Sequence, residues 1–513
     1  MLFIDPHQPP ERVNAMMNIS DISGIEETDA ETVMNALNGC FDFNKDTISD
    51  GHFRGTFLRF PLREEKSELS ENLYNDQKIT DLFEGFQTEI STLLLFLKNL
   101  ESIEVCRRIS ETTEKVASSE IIDQDGTVRE KRDWFNKKLK VFVGSDPVSD
   151  DIECSISMQI KTTTPFTVIQ KDWQLVNYVI GKSASVEFQV LMNDSKLGYS
   201  PYVGLALCQD SGTKTEGHVF CFLPLPKEGA QLSGLPFHVN GFFALSKDRH
   251  HLKWATDEQK GKEISDKSIL WNERMVKEAL PKAYEILLRG MISMAVGKNN
   301  DETAICKLYQ IFIDMDDLRD DKWKCLAMEA LKRVKDVPLL FCGRAGKWVS
   351  FSEAIFAFFS NEQAQLKSSI QDCLGQCHKN YVDISHDRYK ALNSYYCGLT
   401  MLSPSVLASY LHENNNFTQL SSTVKIDILA YLLSDSNPET VTNLELLPLA
   451  NGYWAKFNAG AQHVYICPKE EVDLLPGMEE FFVEVDARLE RQLSSILEPI
   501  ILLGMSSLYA YKM

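Results

Sequence analysis

Four histidines, one cysteine and one aspartate fall within one stretch of the chain: His218, Cys221, His238, Asp248, His250 and His251. A thiol beside an imidazole can become a nucleophile, because the imidazole takes the thiol proton and leaves a thiolate. Here the thiol lies in an apolar run, as a core cysteine does. The histidines are then expected to be strand residues satisfied within the fold. Cys373, Cys377 and His378 are the nearest approach to a metal motif. Positions i and i+4 share a helix face, so two ligands could meet. A third and a fourth are not evident in the sequence, and no metal is expected. Asp123-Gln124-Asp125-Gly126 begins like a calcium loop but lacks the closing Glu, so it reads as a turn. Lys214 in GTKT and Lys347 in GRAGKW lack the spacing of a phosphate-binding loop. No cofactor is expected.

The elements that would position these groups centre on Gly217 to Trp254, GHVFCFLPLPKEGAQLSGLPFHVNGFFALSKDRHHLKW. Two runs dense in Phe, Val and Leu, His218–Pro226 and Phe237–Leu245, flank a turn punctuated by Gly234-Leu235-Pro236, which predicts a hairpin. Gly241 inside the second run signals a bulge or a close backbone approach. Upstream, strands are expected over Glu153–Thr163, Phe166–Ile180, Glu187–Met192 and Tyr202–Cys208. A core-facing helix is expected over Thr80–Ser102, with Leu82, Phe83, Phe86 and Ile90 at helical spacing. Lys131–Val143, with Trp134 and Phe135, reads as a solvated helix face. After a polar linker over Asp257–Asp266 the chain turns helical. Helices are expected over Ile269–Leu280, over Pro281–Gly297 with Pro281 in the first turn, and over Asp316–Lys335 and Ser352–Gln371. Ser403-Pro404 opens another helix, and further helices are expected over Val424–Leu433 and Ala487–Leu497. Leu474–Gly477 reads as a turn before a strand, Phe481–Val485. Two segments echo each other, residues 338–351 around Trp348 and 448–457 around Trp454, each read as strand, glycine turn, strand. The fold class is α+β. A mixed or antiparallel sheet with covering helices fills the N-terminal half, and the C-terminal half is mainly helical with small β-hairpins.

At 513 residues, 44% hydrophobic and 25% charged, the chain can build sizeable cores. A net charge of −20 argues against nucleic acid and against anionic membrane surfaces as partners. The 12 cysteines are scattered without a paired motif, the pattern of free thiols in a reducing compartment. The first residues carry no basic, then apolar, leader pattern. A cytoplasmic location is the default expectation.

FCFLPLP, then GLPFHVNGFFAL, then a basic cluster and Trp254, resemble the signature of the sacsin family. The residues that carry it are Phe222, Leu223, Pro224, Gly234, Leu235, Pro236, His238, Asn240 and Gly241. WNERMVKEALPKAYEILL resembles a second family phrase. Near the start, Phe3 with Asp5-Pro6-His7, and Gly55-Thr56 with Arg59-Phe60-Pro61-Leu62-Arg63, resemble segments that close the family's heat-shock-type ATPase fold. The resemblance implies three regions. Residues 1–65 would be the C-terminal remnant of such an ATPase fold, 66–256 an α+β middle domain, and 267–513 a mainly helical region with the repeated hairpin. It also implies a nucleotide-site remnant: Gly55 and Thr56 near adenine, and Arg249 reaching a terminal phosphate. The upstream Glu/Asn helix, the adenine-binding Asp and the glycine-rich lid of that ATPase are not found before Gly51 in this sequence. The chain is therefore not expected to be an enzyme. The implied role is a non-catalytic scaffold or co-chaperone module of protein quality control, with protein clients or chaperones as partners and docking to an ATPase domain of another or longer chain. The alternatives are a middle-domain partner that completes an ATPase in trans, and a Cys/His enzyme.

Overall fold

The computed structural model describes residues 66, 73–109, 112–144, 149–210, 216–226, 233–256, 265–318, 320–414, 419–435, 437–457, 464–465, 472–484 and 489. Ahead of them, β1 (Leu2–Phe3) and β2 (Ala15–Met16) pair antiparallel. Gly55 and Thr56 lie outside the described residues, as does nearly all of the helix expected over Ala487–Leu497. The chain divides into two compact units. One comprises Met1–Leu94, Glu101–Glu120 and Lys161–Ile169, the other Leu95–Leu100, Ile121–Ile160 and Gln170–Met513.

In the first unit, α1 (Asp76–Leu93) starts where the Asn75 side chain accepts the Lys78 N–H at 3.0 Å. Ile90 and Leu93 are buried, but Leu82 and Phe86 are exposed. The expected apolar face is thus buried only toward the helix end, and the helix stops well before Ser102. β3 (Ser102–Ile109) and β4 (Thr112–Ile122) form an antiparallel hairpin with a register shift between Val105 and Cys106.

In the second unit, α2 (Thr127–Gly144) opens on the Asp123–Gly126 turn. The Asp123 carboxylate accepts the N–H groups of Val128 and Arg129 at 3.0 and 2.8 Å, so the run that starts like a calcium loop caps a helix. The strands β5 (Ile152–Thr163), β6 (Val168–Val179), β7 (Tyr202–Cys208), β8 (Val219–Cys221), β9 (Leu223–Pro224) and β10 (His238–Gly241) pair in the order β5-β6-β7-β10-β8-β9. β6, β7 and β10 are antiparallel neighbours.

Three segments depart from the expected structure. Glu187–Met192 belongs to a helix, α3 (Val186–Met192), not a strand. Its Val and Phe content is β-prone, but Ser185 caps it by accepting the Phe188 N–H at 3.2 Å, and Phe188 and Leu191 bury one face at helical spacing. The two signature runs are not antiparallel partners either: β10 pairs with β8 in parallel, Val239 opposite Val219 and Asn240 opposite Phe220. The reason is local. Phe222 takes a left-handed conformation (φ 67°), and β8 folds onto β9 through a Leu225 N–H to Val219 carbonyl bond of 3.0 Å. The returning chain re-enters beside the start of β8, with Ser233 and Leu235 each hydrogen bonded to the Gly217 backbone. It therefore runs in the same direction as β8, after a connection long enough for a parallel pair. Gly241 ends β10 in regular register with Val203, without a bulge.

Downstream, α4 (Lys267–Arg274) continues through a π-helical segment, Met275–Ala279, into α5 (Leu280–Gly297). The break expected at Pro281 is absorbed by this wider turn, which tolerates the proline's missing N–H and its ring. α6 (Glu302–Gln310) and α7 (Asp321–Val334) follow. Their apolar faces and the sheet share one core, in which Tyr178, Phe188, Phe237, Trp271, Tyr284 and Leu326 are almost wholly buried. Each such side chain removed from water is worth about 1.5–3 kcal/mol.

Beyond it, β11 (Leu340–Cys342) and β12 (Lys347–Val349) form an antiparallel hairpin with Phe341 opposite Trp348. A short parallel sheet follows: β13 (Ala354–Phe356), α8 (Ala364–Gln376), β14 (Asn380–Tyr381), α9 (His386–Tyr395) and β15 (Thr400–Met401), with β13 in the centre. The helix expected over Ser352–Gln371 thus gives way to a strand at its start. α10 (Pro404–Glu413) and α11 (Ser422–Leu432) are capped by Ser403 and Ser421. The antiparallel pair β16 (Leu447–Pro448) and β17 (Trp454–Ala455) follows. A second core joins Ile370, Leu374, Leu407, Leu411, Ile428 and Leu446.

Candidate functional site

The signature residues gather around β10. Asn240 is fully buried. Its carbonyl oxygen accepts the Phe222 N–H at 2.8 Å, and its amide donates to the Tyr202 hydroxyl at 3.3 Å. Tyr202 in turn donates to Asn177 at 2.7 Å. This relay ties the left-handed turn at Phe222 to the neighbouring strands, and each buried polar group in it has a partner, as burial requires. Gly234 adopts φ 75°, and a side chain there would sit 2.1 Å from the Asp317 carbonyl. Only glycine satisfies both the conformation and the approach. Leu235, Pro236 and Gly241 are buried, whereas Leu223, the first residue of β9, is exposed.

His238 is buried between aromatic neighbours, with Trp173, His218 and Phe220 ring centres each 5.5 Å away. Its Nδ1 accepts the His218 N–H at 3.0 Å, which leaves the proton on Nε2. Burial, with smaller contributions from His218 and Lys171, holds its pKa down at about 3. It is a neutral core imidazole. Cys221 points its thiol at the Phe243 carbonyl, 3.8 Å away, and burial pushes the thiol's pKa up, away from the thiolate form. His250 and His251 stand apart from this cluster, in the exposed turn that closes the Leu245–Leu252 bridge.

Arg249 lies at the tip of that turn, exposed and left-handed (φ 59°). Its N–H bonds to the Ser246 carbonyl at 2.9 Å, the His250 N–H to Asp248 at 3.1 Å, and the His251 N–H to the Ser246 hydroxyl at 3.1 Å. The turn is therefore built, and it projects the arginine outward. Cys373 and Cys377 are buried in the second core. Among the described residues no group of three metal-ligating side chains could hold an ion, and no helix is long and apolar enough to cross a membrane.

Sequence reasoning missed the clamp that holds the second half of the signature. Asn272 on α4 accepts the Ala244 N–H and donates to the Ala244 and Lys253 carbonyls, each at 2.8 Å. Trp271 donates to the Phe242 carbonyl at 2.8 Å. The Trp-Asn pair was visible as part of a family phrase, but its target lies almost thirty residues away and no local spacing points to it. Ahead of α3, the Ser185 hydroxyl donates to Glu278 at 2.7 Å, and Arg274 reaches the same carboxylate at 3.1 Å.

The family profile described as Sacsin domain matches residues 1–120. Human sacsin is 25% identical over 507 residues, an alignment that covers 94% of this chain. The chain spans 11% of that relative's length. No solved structure matches. The profile match over residues 1–120 and the alignment over 94% of the chain make it similar to sacsin.

Proposed function

We propose that the chain is a non-catalytic scaffold or co-chaperone module of protein quality control, working in the cytoplasm through contacts with protein clients or chaperones. One observation carries this reading. The polar side chains of the two family phrases are used inside the fold: His238 on a backbone N–H, Asn240 on Phe222 and Tyr202, Asn272 on the backbone of Ala244 and Lys253. A depressed buried imidazole and a thiol held away from its thiolate are poor material for acid–base or nucleophilic work. They speak against the Cys/His enzyme. Calorimetry with ATP and magnesium, followed by a client-aggregation assay, tests the reading. No heat together with suppressed aggregation is the expected result, and micromolar nucleotide binding would overturn it.

A second reading draws on the Arg249 turn. An arginine at the tip of a hydrogen-bonded turn can reach the terminal phosphate of a nucleotide held by an ATPase domain on another polypeptide. In a reconstituted pair, Arg249→Ala should slow hydrolysis. Unchanged turnover would remove this reading.

A further inference from the structure

Segment 95–100, which follows α1, is held against α2 by Arg132. The buried guanidinium donates to the Leu100 carbonyl at 2.9 Å and the Leu97 carbonyl at 3.4 Å. Between these anchors stands Lys98. Its Nζ lies 4.2 Å from the ring centre of Tyr202, 5.4 Å from that of Phe222 and 5.7 Å from that of Phe135. Three aromatic faces thus surround one amino group, at distances where a cation feels the ring quadrupoles. Lys98 and Tyr202 also line a small surface pocket with Arg132, Asn136 and Asn177, and Lys98 is half-buried.

This lysine differs from others of the chain. Lys115 pairs with Glu104, Lys161 with Glu120 at 3.1 Å, Lys253 with Asp266 at 2.7 Å and Lys267 with Asp194 at 2.6 Å. An ion pair holds a lysine in its protonated, unreactive form. Among the described residues the Lys98 ammonium has rings around it and neither a carboxylate nor a hydrogen-bond acceptor. Rings offset only part of the hydration that an ammonium loses on burial, whereas they pack equally well around a neutral amine. Burial accordingly brings the Lys98 pKa down to about 8. Desolvation in an apolar pocket is a known way to activate a lysine as a nucleophile.

We propose that Lys98 is an acylation site, whose ε-amino group takes the acyl group of a small acyl thioester. The neutral amine's lone pair attacks the thioester carbonyl carbon and a C–N bond forms. The C–S bond breaks, the thiolate leaves with its electron pair, and the extra proton on nitrogen passes to water. The product is a neutral amide in the same aromatic surroundings, so modification removes a poorly solvated charge from the fold. Phe222 belongs to the left-handed signature turn and Tyr202 to the Asn240 relay. The amide would therefore report directly on the joint between β7, β8 and β10.

The test uses the full chain and S-acetyl-N-acetylcysteamine as the acyl donor, from about pH 6 to about pH 10. Peptide mass spectrometry reads the acetylation rate at Lys98 against Lys115, Lys161 and Lys253. At neutral pH, Lys98 should react about tenfold faster than these ion-paired lysines. Its rate should bend over near pH 8, where burial places its titration. Phe222→Ala, which opens the site to water and is checked by circular dichroism to be folded, should slow Lys98 at neutral pH and move the bend upward. A rate at Lys98 equal to or below that of Lys115 and Lys161, or one that still climbs above about pH 9, overturns the proposal.

Discussion

At neutral pH the imidazole of His238 is uncharged, because burial lowers its pKa from the ordinary 6.5 to about 3. The unfolded chain takes up a proton at this position near pH 6.5, and the folded chain resists it until about pH 3. The stabilisation from the neutral buried imidazole is therefore complete above about pH 6.5 and is lost as the pH falls through that window. By pH 5 the loss is about 2 kcal/mol. Urea denaturation of the chain and of His238→Gln at pH 7.5 and pH 5 checks this. The unmodified chain should lose about 2 kcal/mol more than the variant between the two conditions. Parallel losses would mean that His238 titrates normally in the fold. That His238 would be a satisfied strand residue could be read from the apolar run around it. Its partner could not, because the N–H it accepts belongs to His218, twenty positions earlier, and the pairing depends on the parallel register of β8 and β10. The same holds for Asn240 and Asn272. An asparagine in a sequence states only that an amide must be satisfied if buried, never by whom.

At the scale of elements, Gly234 fixes the entry of the chain into β10. Gly234 combines φ 75° with a side-chain position occupied by the Asp317 carbonyl, so the connection is pressed against the loop between α6 and α7. Gly234→Ala cannot keep both the conformation and the approach. It should cost roughly 3 kcal/mol or more, since both a left-handed alanine and a backbone displacement are demanded. Thermal or urea unfolding of the variant gives the number, and a loss below about 1 kcal/mol would mean that the connection is not packed as described. The turn residues themselves were legible, because Gly-Leu-Pro marks a reversal in any context. The direction of the returning strand was not. A reversal of a few residues yields an antiparallel hairpin, and a longer excursion permits a parallel pair. Here the choice was made by Phe222, whose left-handed backbone folds β8 onto β9 first. Strand composition misled at α3, where the Ser185 cap and a buried Phe188–Leu191 face outweighed β-propensity. The parallel sheet of β13, β14 and β15 escaped notice because two of its strands are only two residues long, too short for alternation to be seen. α10 and α11 were legible from their serine caps, which act within one turn and need no distant partner.

On the scale of the whole molecule, the net charge of −20 bears on the proposed scaffold role. A surplus of carboxylates gives the chain a long-range negative field, and such a field steers encounters with oppositely charged partners. If the chain holds unfolding clients, a basic client should meet it faster than an acidic client of similar size. The field reaches about 10 Å at 0.1 M salt and shrinks to about 3 Å at 1 M. Protection of a basic client against thermal aggregation should therefore weaken as salt rises across that range, while the smaller effect on an acidic client should stay flat or improve as repulsion is screened. Light scattering of two such clients, each heated with and without the chain at several salt concentrations, separates the cases. Salt-independent protection of both would place recognition on apolar surface instead. In that event the exposed side chains of Phe166, Val168 and Ile169 at the β5–β6 turn are the residues to substitute, since Phe166 is 94% exposed and the other two flank it on the strand. Protection that follows client charge but vanishes with salt would locate recognition in the field itself, and charge reversal at any one carboxylate should then change the rate of capture only slightly.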